Sequence, residues 1–288
     1  TTGGGTAIGV DSKGAVWVSG VADPSTTGPP SSRRLGSAGF VAKYDGSTSR
    51  KVASVGFGGG TGFQIPLNTS VKSLSIDDAD AVYISGSIEG TLPSTPGVIG
   101  PQRGQVGRAY VYVMKLHTSG STRYATYIPP ELGNVHLSKA LPNGKVLLSL
   151  IREDSRAPCG TKFVRLLRLD EGASRIDGEW FLQSTPSAMT FQKDKLYSAG
   201  RLLEVELPFA ATADAHLSQY ANGLDSVIAK LDLSKPSQPS INCVLNAASL
   251  LPGRNSRGFD GSVVPREIVS LFGDDFPIAG DDLQVTFD

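Results

Sequence analysis

Four cations recur at the same place in four similar segments: Lys43 in FVAKYD, Lys115 in VYVMKLH, Arg168 in FVRLLRLD and Lys230 in SVIAKLD. Residues set in register like this have two uses. They form ion pairs with the acidic residues that follow them, or they line a binding face as a ring of positive charge. A second group is acidic. Asp77, Asp78 and Asp80 crowd one turn, and Asp274, Asp275, Asp281 and Asp282 crowd another. Oxygen-rich loops hold Ca²⁺, which makes Asp77, Asp78 and Asp80 the candidate metal ligands. The EF-hand spacing is absent, and Asp is also favoured in turns because its side chain bonds to nearby backbone.

Thiol and imidazole chemistry has less to work with. Cys159 and Cys243 lie in polar, proline-containing surroundings, RAPCGTK and PSINCVL, and read as loop or edge positions. They are two small buried residues or one disulfide of a secreted protein. His117, His136 and His216 form no H-x-x-x-H or H-E-x-x-H pair, so zinc has no local ligand set. No G-x-S-x-G elbow is present to carry a Ser–His–Asp triad. GFGGGTG at 56–62 lacks the G-K-[ST] and the helix that a phosphate-cradling loop requires. No catalytic residue is assigned, and no cofactor other than that Ca²⁺.

Composition sets the frame for these groups. Only 19% of the 288 residues are charged, and glycine and proline number 34 and 18. That suits short strands and tight turns better than long amphipathic helices. Basic and acidic residues are equal at 27 each, so no positive field draws in nucleic acid. No apolar run of about 18 residues spans a membrane. The chain opens at TTGGGTAIGVD without an initiator Met and reads as processed or partial.

The elements that would position the cations repeat. AIGVDSKGAVWVSG (7–20) and SLSIDDADAVYISG (73–86) each join two apolar alternating runs through a polar turn, the pattern of a β-hairpin. SKALPNGKVLLSL (138–150) and AMTFQKDKLYSAG (188–200) are weaker copies. The cation-bearing strand follows each hairpin after a variable loop. A closing strand follows in RKVASVGFGGG, TRYATYIPP and, more loosely, IDGEWFLQ. Four strands per unit, in tandem, predict the blades of a β-propeller. Stacking blades buries both faces of each thin sheet. The small-residue first strands should lie innermost. Trp17, Tyr83 and Tyr197 should sit on second strands, packed between sheets, with the flanking glycines permitting the turns.

The stretch from AIGVDSKGAVWVSGVAD to GFVAKYDGSTSRKVASVGFGGG resembles the bacterial SBBP repeat, a propeller family, over most of residues 1–235. PSINCVLNAASLLPGRNSRGFDGSVVPREIVSLFGDDFP (239–277) resembles the junction at which propeller repeats of secreted acidobacterial proteins give way to an immunoglobulin-like module, with LQVTFD (283–288) as its next strand. The resemblance implies an all-β chain: residues 1–238 as four four-stranded propeller blades belonging to a larger ring, and 239–288 as a linker and the first strands of an incomplete Ig-like sandwich. A full sandwich takes about 100 residues. The strands of that tail leave an edge that invites a partner. The implied role is a secreted or cell-surface binding or scaffold protein, a subunit of an extracellular assembly that contacts other subunits or its own copies through its C-terminal strands. The rival readings are a carbohydrate-active propeller enzyme and a glycan-binding module. An enzyme needs acids or histidines converging at one axial mouth, and a glycan module needs aromatics on loops 21–39 and 89–109, which carry none, with Phe40 and Tyr110 at their edges.

Overall fold

The structure is a computed structural model, and it describes residues 3–22, 36–60, 67–100, 109–153, 162–182, 184–202, 226–235, 240–246, 254–255, 258–259 and 269–274. It is almost entirely β, with two single-turn 3₁₀ segments. Sheet 1 runs β1 (Gly3–Val10), β2 (Val16–Ala22), β3 (Gly36–Tyr44) and β4 (Lys51–Gly60), in that spatial order. Sheet 2 repeats the plan with β5 (Thr69–Ile76), β6 (Val82–Ile88), β7 (Tyr110–Leu116) and β8 (Thr122–Ile128). Sheet 3 does so with β9 (Asn134–Ala140), β10 (Val146–Glu153), β11 (Lys162–Leu169) and β12 (Ile176–Leu182). Sheet 4 has three described strands, β13 (Ser184–Gln192), β14 (Lys195–Leu202) and β15 (Ser226–Asp232), where the sequence leads one to expect four. Every neighbouring pair in these four sheets is antiparallel.

Beyond sheet 4, β16 (Ser240–Asn246) pairs antiparallel with β19 (Val269–Asp274), and the two-residue strands β17 (Arg254–Asn255) and β18 (Gly258–Phe259) pair with each other. Cys243 lies on β16, opposite Phe272. Cys159, Asp275, Asp281, Asp282, His216 and the LQVTFD segment fall outside the described residues.

Why these segments pair as they do is local. The β9–β10 turn carries Asn143 at φ 61° and Gly144 at φ 74°. The β13–β14 turn places Lys193 and Asp194 in the same left-handed region, at φ 47° and 60°. In the two-residue β13–β14 loop, two consecutive positive φ values match the right-handed twist of the hairpin, and in the β9–β10 turn they close a three-residue loop, Pro142–Gly144. A further device repeats at the far end of the second strand in sheets 1, 2 and 4. A Cβ on Gly20, Gly86 or Gly200 would lie 2.1, 1.9 or 2.1 Å from a carbonyl oxygen of the first strand. In each case the first strand shifts register beside that glycine. The glycine closing VWVSG, VYISG and LYSAG therefore admits a bulge. It does not serve the hairpin turn, as the sequence pattern suggests.

Three apolar cores lie between the four sheets in chain order. Trp17, Val41 and Phe57 of sheet 1 meet Val82, Ile84, Tyr112 and Met114 of sheet 2. The other face of sheet 2, with Tyr83, Val113 and Tyr124, meets Val146, Leu148 and Leu167 of sheet 3. Leu147, Leu166 and Trp180 of sheet 3 meet Leu196 of sheet 4, with Met189 and Ala229 packed alongside. Sheets 2 and 3 are thus covered on both faces. The first strands of sheets 1 to 4 adjoin one another in sequence. The edges of β5 and β9 are stitched by serines: Ser73 Oγ accepts from Ser138 N at 3.1 Å, and Ser75 Oγ accepts from Ala140 N at 2.8 Å. These bonds answer the need of buried backbone N–H groups for partners.

Gly86→Ala must drive a methyl into the Ser70 carbonyl and is expected to cost at least about 2 kcal/mol. Gly4→Ala, with nothing within 4 Å of the new Cβ, should stay within about 0.5 kcal/mol of the parent. Urea titrations of the two variants check this; equal midpoints would reject the close-approach account.

Candidate functional site

The four recurring cations do fall in register. Lys43 stands opposite Trp17, Lys115 opposite Tyr83, Arg168 opposite Leu147 and Lys230 opposite Tyr197, each across the second and third strands of its sheet. Opposed residues project to the same side, so each cation belongs to the face that carries its partner.

In sheet 1, Lys43 Nζ lies 5.0 Å from the centre of the Trp17 ring and 3.1 Å from Asp11 Oδ2. Trp17 Nε1 donates to the same Asp11 oxygen at 3.2 Å. In sheet 2, Lys115 Nζ lies 4.8 Å from the centre of the Tyr83 ring and 3.8 Å from Asp77 Oδ2, to which the Tyr83 hydroxyl donates at 2.9 Å. Each Asp begins the first hairpin turn, six positions before its aromatic partner. Its other oxygen accepts turn N–H groups, from Lys13 and Ala15 at Asp11 and from Ala79 and Ala81 at Asp77. Sheet 3 has Leu141 at the acid's place and Leu147 at the aromatic's, and it rebuilds the cluster from β12. Arg168 Nε donates to Asp177 Oδ1 at 2.6 Å, and the guanidinium lies 5.1 Å from the Trp180 ring. Trp180 folds over Gly178, where a Cβ would sit 2.3 Å from the ring.

The same cations also reach the next sheet. Lys43 Nζ donates to Thr118 O at 3.0 Å, in the β7–β8 turn. Lys115 Nζ donates to Gly144 O at 3.0 Å, in the β9–β10 turn, and the Tyr83 hydroxyl is 2.6 Å from that oxygen. Arg168 Nη1 donates to Leu233 O at 3.2 Å, just after β15. The expectation of a row of cations offered to a ligand therefore gives way, at these three positions, to cations that join successive sheets. Lys230 of sheet 4 differs: it is exposed, with its Nζ 5.8 Å from the Tyr197 ring. In sheets 1 and 2 the ion pairs run to the preceding turn acid, and Asp45, which follows Lys43, instead accepts from Ser47 and Thr48 in its own turn. In sheet 3 the partner, Asp177, lies after the cation.

The acidic turn of sheet 2 is put to similar use. Asp80 adopts φ 60° and accepts from Ser12 N at 2.8 Å and Ser12 Oγ at 2.7 Å, tying the turns of sheets 1 and 2 together. Asp77 serves the Lys115 cluster, and Asp78 is exposed. Among the described residues no group of three or more His, Cys, Asp or Glu side chains converges as metal ligands. The partner acids Asp11 and Asp177 are not singled out by the sequence pattern. For Asp11 and Asp77 the shared six-residue offset to an aromatic was the available signal; for Asp177 there was none.

One cleft, of about 360 Å³, opens where the first hairpin turns of sheets 2, 3 and 4 come together. Asp77, Asp78, Lys139, Phe191, Lys193 and Asp194 are among its walls. It combines both charge signs with one aromatic edge. That lining can grip a polar ligand, but it pairs no nucleophile with a base. His136, on β9, has its pKa lowered by burial, against a raising contribution from its bond to the Pro186 backbone.

Burial alone would raise the Asp11 carboxyl, but bonds from Lys43, Ala15 and Trp17 outweigh it and hold the pKa below the usual carboxylate value. Asp177 behaves likewise, with Lys145 and Arg168 outweighing burial. Asp80 is held low chiefly by the Ser12 N–H and hydroxyl. Lys115 is shifted down by burial first and by Arg123 second, with Asp77 and Glu171 opposing. Burial pushes the Tyr83 hydroxyl well above its ordinary value, and Asp77 adds to the effect.

No protein-family profile matches the chain, and no curated protein matches it. Among solved structures it is similar to one described as the crystal structure of an ACO/RPE65 chimera, at 13% identity and a TM-score of 0.39, covering 76% of this chain and 44% of that one. The chain thus spans less than half the length of that structure.

Two outcomes are expected. Lys115→Met and Asp77→Asn should each cost about 3 kcal/mol, because each leaves a charge or dipole buried without its partner. The double variant should cost less than the sum by about 1 kcal/mol or more, and an additive result in urea titrations would dissolve the cluster. On the acid side, Asp11, Asp80 and Asp177 all have folded pKa values below their unfolded ones. Their stabilisation is full above the unfolded value of about 4 and is lost as pH falls through the depressed values. The melting temperature should therefore drop below about pH 4, and Asp11→Asn should flatten that drop.

Proposed function

We propose that this chain is a non-enzymatic binding or scaffold protein of the cell exterior, built from blades of a β-propeller. The observation that carries this reading is the use made of its reactive side chains. Lys43, Lys115 and Arg168, their aromatic partners and the turn acids Asp11, Asp77 and Asp80 are committed to one another or to the neighbouring sheet. Such residues hold sheets together. The order of the sheets, with first strands adjoining and a core in each gap, supports blades around a shared hub. The likeness of residues 1–235 to SBBP repeats supports a secreted or surface setting. The likeness of 239–277 to an Ig-like junction supports a connecting role for the tail, with β16 and β19 as its first paired strands.

The cleft favours a second reading, in which the same scaffold holds a glycan. Its half-buried Phe191 offers an apolar face beside Asp78 and Lys139, the combination of surface and hydrogen-bonding groups that a sugar ring takes.

Brief trypsin treatment of intact source cells should release peptides of this chain ahead of cytoplasmic markers, read by mass spectrometry. Recovery only after lysis would overturn the exterior assignment. The purified chain should not hydrolyse or cleave a panel of polysaccharides; turnover that Asp78→Asn or Asp194→Asn abolishes would favour the enzyme instead.

A further inference from the structure

We infer that the outer faces of sheets 1 and 4 are the two halves of one interface, and that each is covered by a second copy of this chain, head to tail. The inference rests on the scaffold reading above and names its partner.

The argument begins with polarity. Each sheet has a forward face, which carries the recurring cation, and a backward face, which carries the residues on either side of the aromatic position. At the three internal joints, the forward face of one sheet meets the backward face of the next. Among the described residues, sheet 1 therefore has an uncovered backward face and sheet 4 an uncovered forward face. These two faces differ from each other, and each is the kind that the other's relatives already accept within the chain.

Register makes the match specific. Ile8 pairs with Val18 and Val10 with Val16, as Leu74 pairs with Ile84 and Ile76 with Val82. Leu74 and Ile76 are packed against the core between sheets 1 and 2, so closely that a Cβ on Gly9 would lie 2.8 Å from Leu74. Their counterparts Ile8 and Val10 are 68% and 62% exposed. On sheet 4, Tyr197 pairs with Lys230 and Ala199 with Ile228, as Tyr83 pairs with Lys115 and Ser85 with Val113. Tyr83 and Val113 are fully buried, whereas Ile228 is 84% exposed. Lys115 donates a hydrogen bond to a turn carbonyl of the next sheet. Among the described residues Lys230 has its aromatic ring and no such carbonyl.

An isoleucine left this open on each outer face gives up the stabilisation of its buried counterpart, about 1.5–3 kcal/mol per side chain. On sheet 1, Ile8, Val10, Val16 and Val18 form a contiguous apolar patch of the kind that marks an interaction site, and on sheet 4 the open apolar side chain is Ile228, beside Ala199, Tyr197 and Lys230. The occupant that fits the forward face of sheet 4 is a backward face of this repeat, and among the described sheets the backward face that stands open is that of sheet 1. Because the two patches are different, the contact is head to tail. It closes into a ring when the rotation allows and otherwise extends.

Sedimentation velocity on the wild-type chain across a concentration series should show a species of at least twice the 30.1 kDa chain mass. A monomer at every concentration would overturn the inference, including the case in which the tail of the same chain covers either face. Ile8→Glu alone and Ile228→Glu alone should each weaken association at least about thirtyfold, the scale of an interface hot spot. Mixing the two variants should restore a dimer, since one intact junction remains between them. A loss seen with only one variant, or no restoration on mixing, would mean that like faces pair and would overturn the head-to-tail arrangement. As a check independent of folding in the variants, amide exchange of the wild type should slow in β1 and β15 as concentration rises; unchanged exchange there would also overturn it. Surface exposure is read separately by protease shaving, so a monomeric surface protein and a self-associating cytoplasmic one are told apart.

Discussion

Burying a lysine ammonium between two β-sheets is costly, and the way this chain does so constrains much of the rest. Desolvation of an ion takes several kcal/mol and is offset only when good geometry and further hydrogen bonds are supplied together. Lys115, 1% exposed, has the face of Tyr83, the Asp77 carboxylate and the Gly144 carbonyl around it. Two of these come from its own sheet and the third from the next. The cation is satisfied only when the neighbouring sheet arrives with its turn at the right height. A group of this kind adds little net stability, but it penalises any arrangement that leaves the ammonium without its carbonyl. It thereby sets the spacing and level of adjacent sheets, a task that interchangeable aliphatic residues perform poorly.

The same requirement accounts for the variation among units. Sheets 1 and 2 draw the acid from the first hairpin turn and the ring from the second strand. Sheet 3 has leucines at both places, yet it retains a cation. Asp177 and Trp180 of β12 take over, and Gly178 is what lets the indole lie flat beneath the guanidinium. What persists is the local environment of the positive charge. Sheet 4 keeps Tyr197 and Lys230 but leaves them facing outward, which is why its forward face differs from the other three. The serine hydroxyls at Ser73 and Ser75 play a parallel part at the inner edge, where the first strand of sheet 3 would otherwise leave N–H groups buried without acceptors.

Not every polar or apolar side chain is consumed in joining the sheets. The cleft at the hairpin turns of sheets 2 to 4 retains exposed Asp78, Lys193 and Asp194 beside Phe191. The two outer sheet faces retain exposed isoleucines. These are the surfaces on which the proposed binding role would rest.

Sequence alone determined the strands, their hairpins, the tandem unit and the register of the four cations. All of these depend on local signals: alternation with period two, turn residues that tolerate positive φ, and a repeated order of landmarks. It also indicated that Trp17 and Tyr83 belong to the core. What the cations do was decided only by the tertiary structure. The pairing of Lys43 with Asp11, reached from the third strand back to the first turn, depends on strand order. The bonds to Thr118, Gly144 and Leu233 depend on which turn of the next sheet comes within about 3 Å, the reach of a hydrogen bond. Asp80 read as a metal ligand by composition became a clasp on Ser12 for the same reason. A side chain's type limits the bonds it can make, but its partner is whichever group the packing of the sheets brings to it.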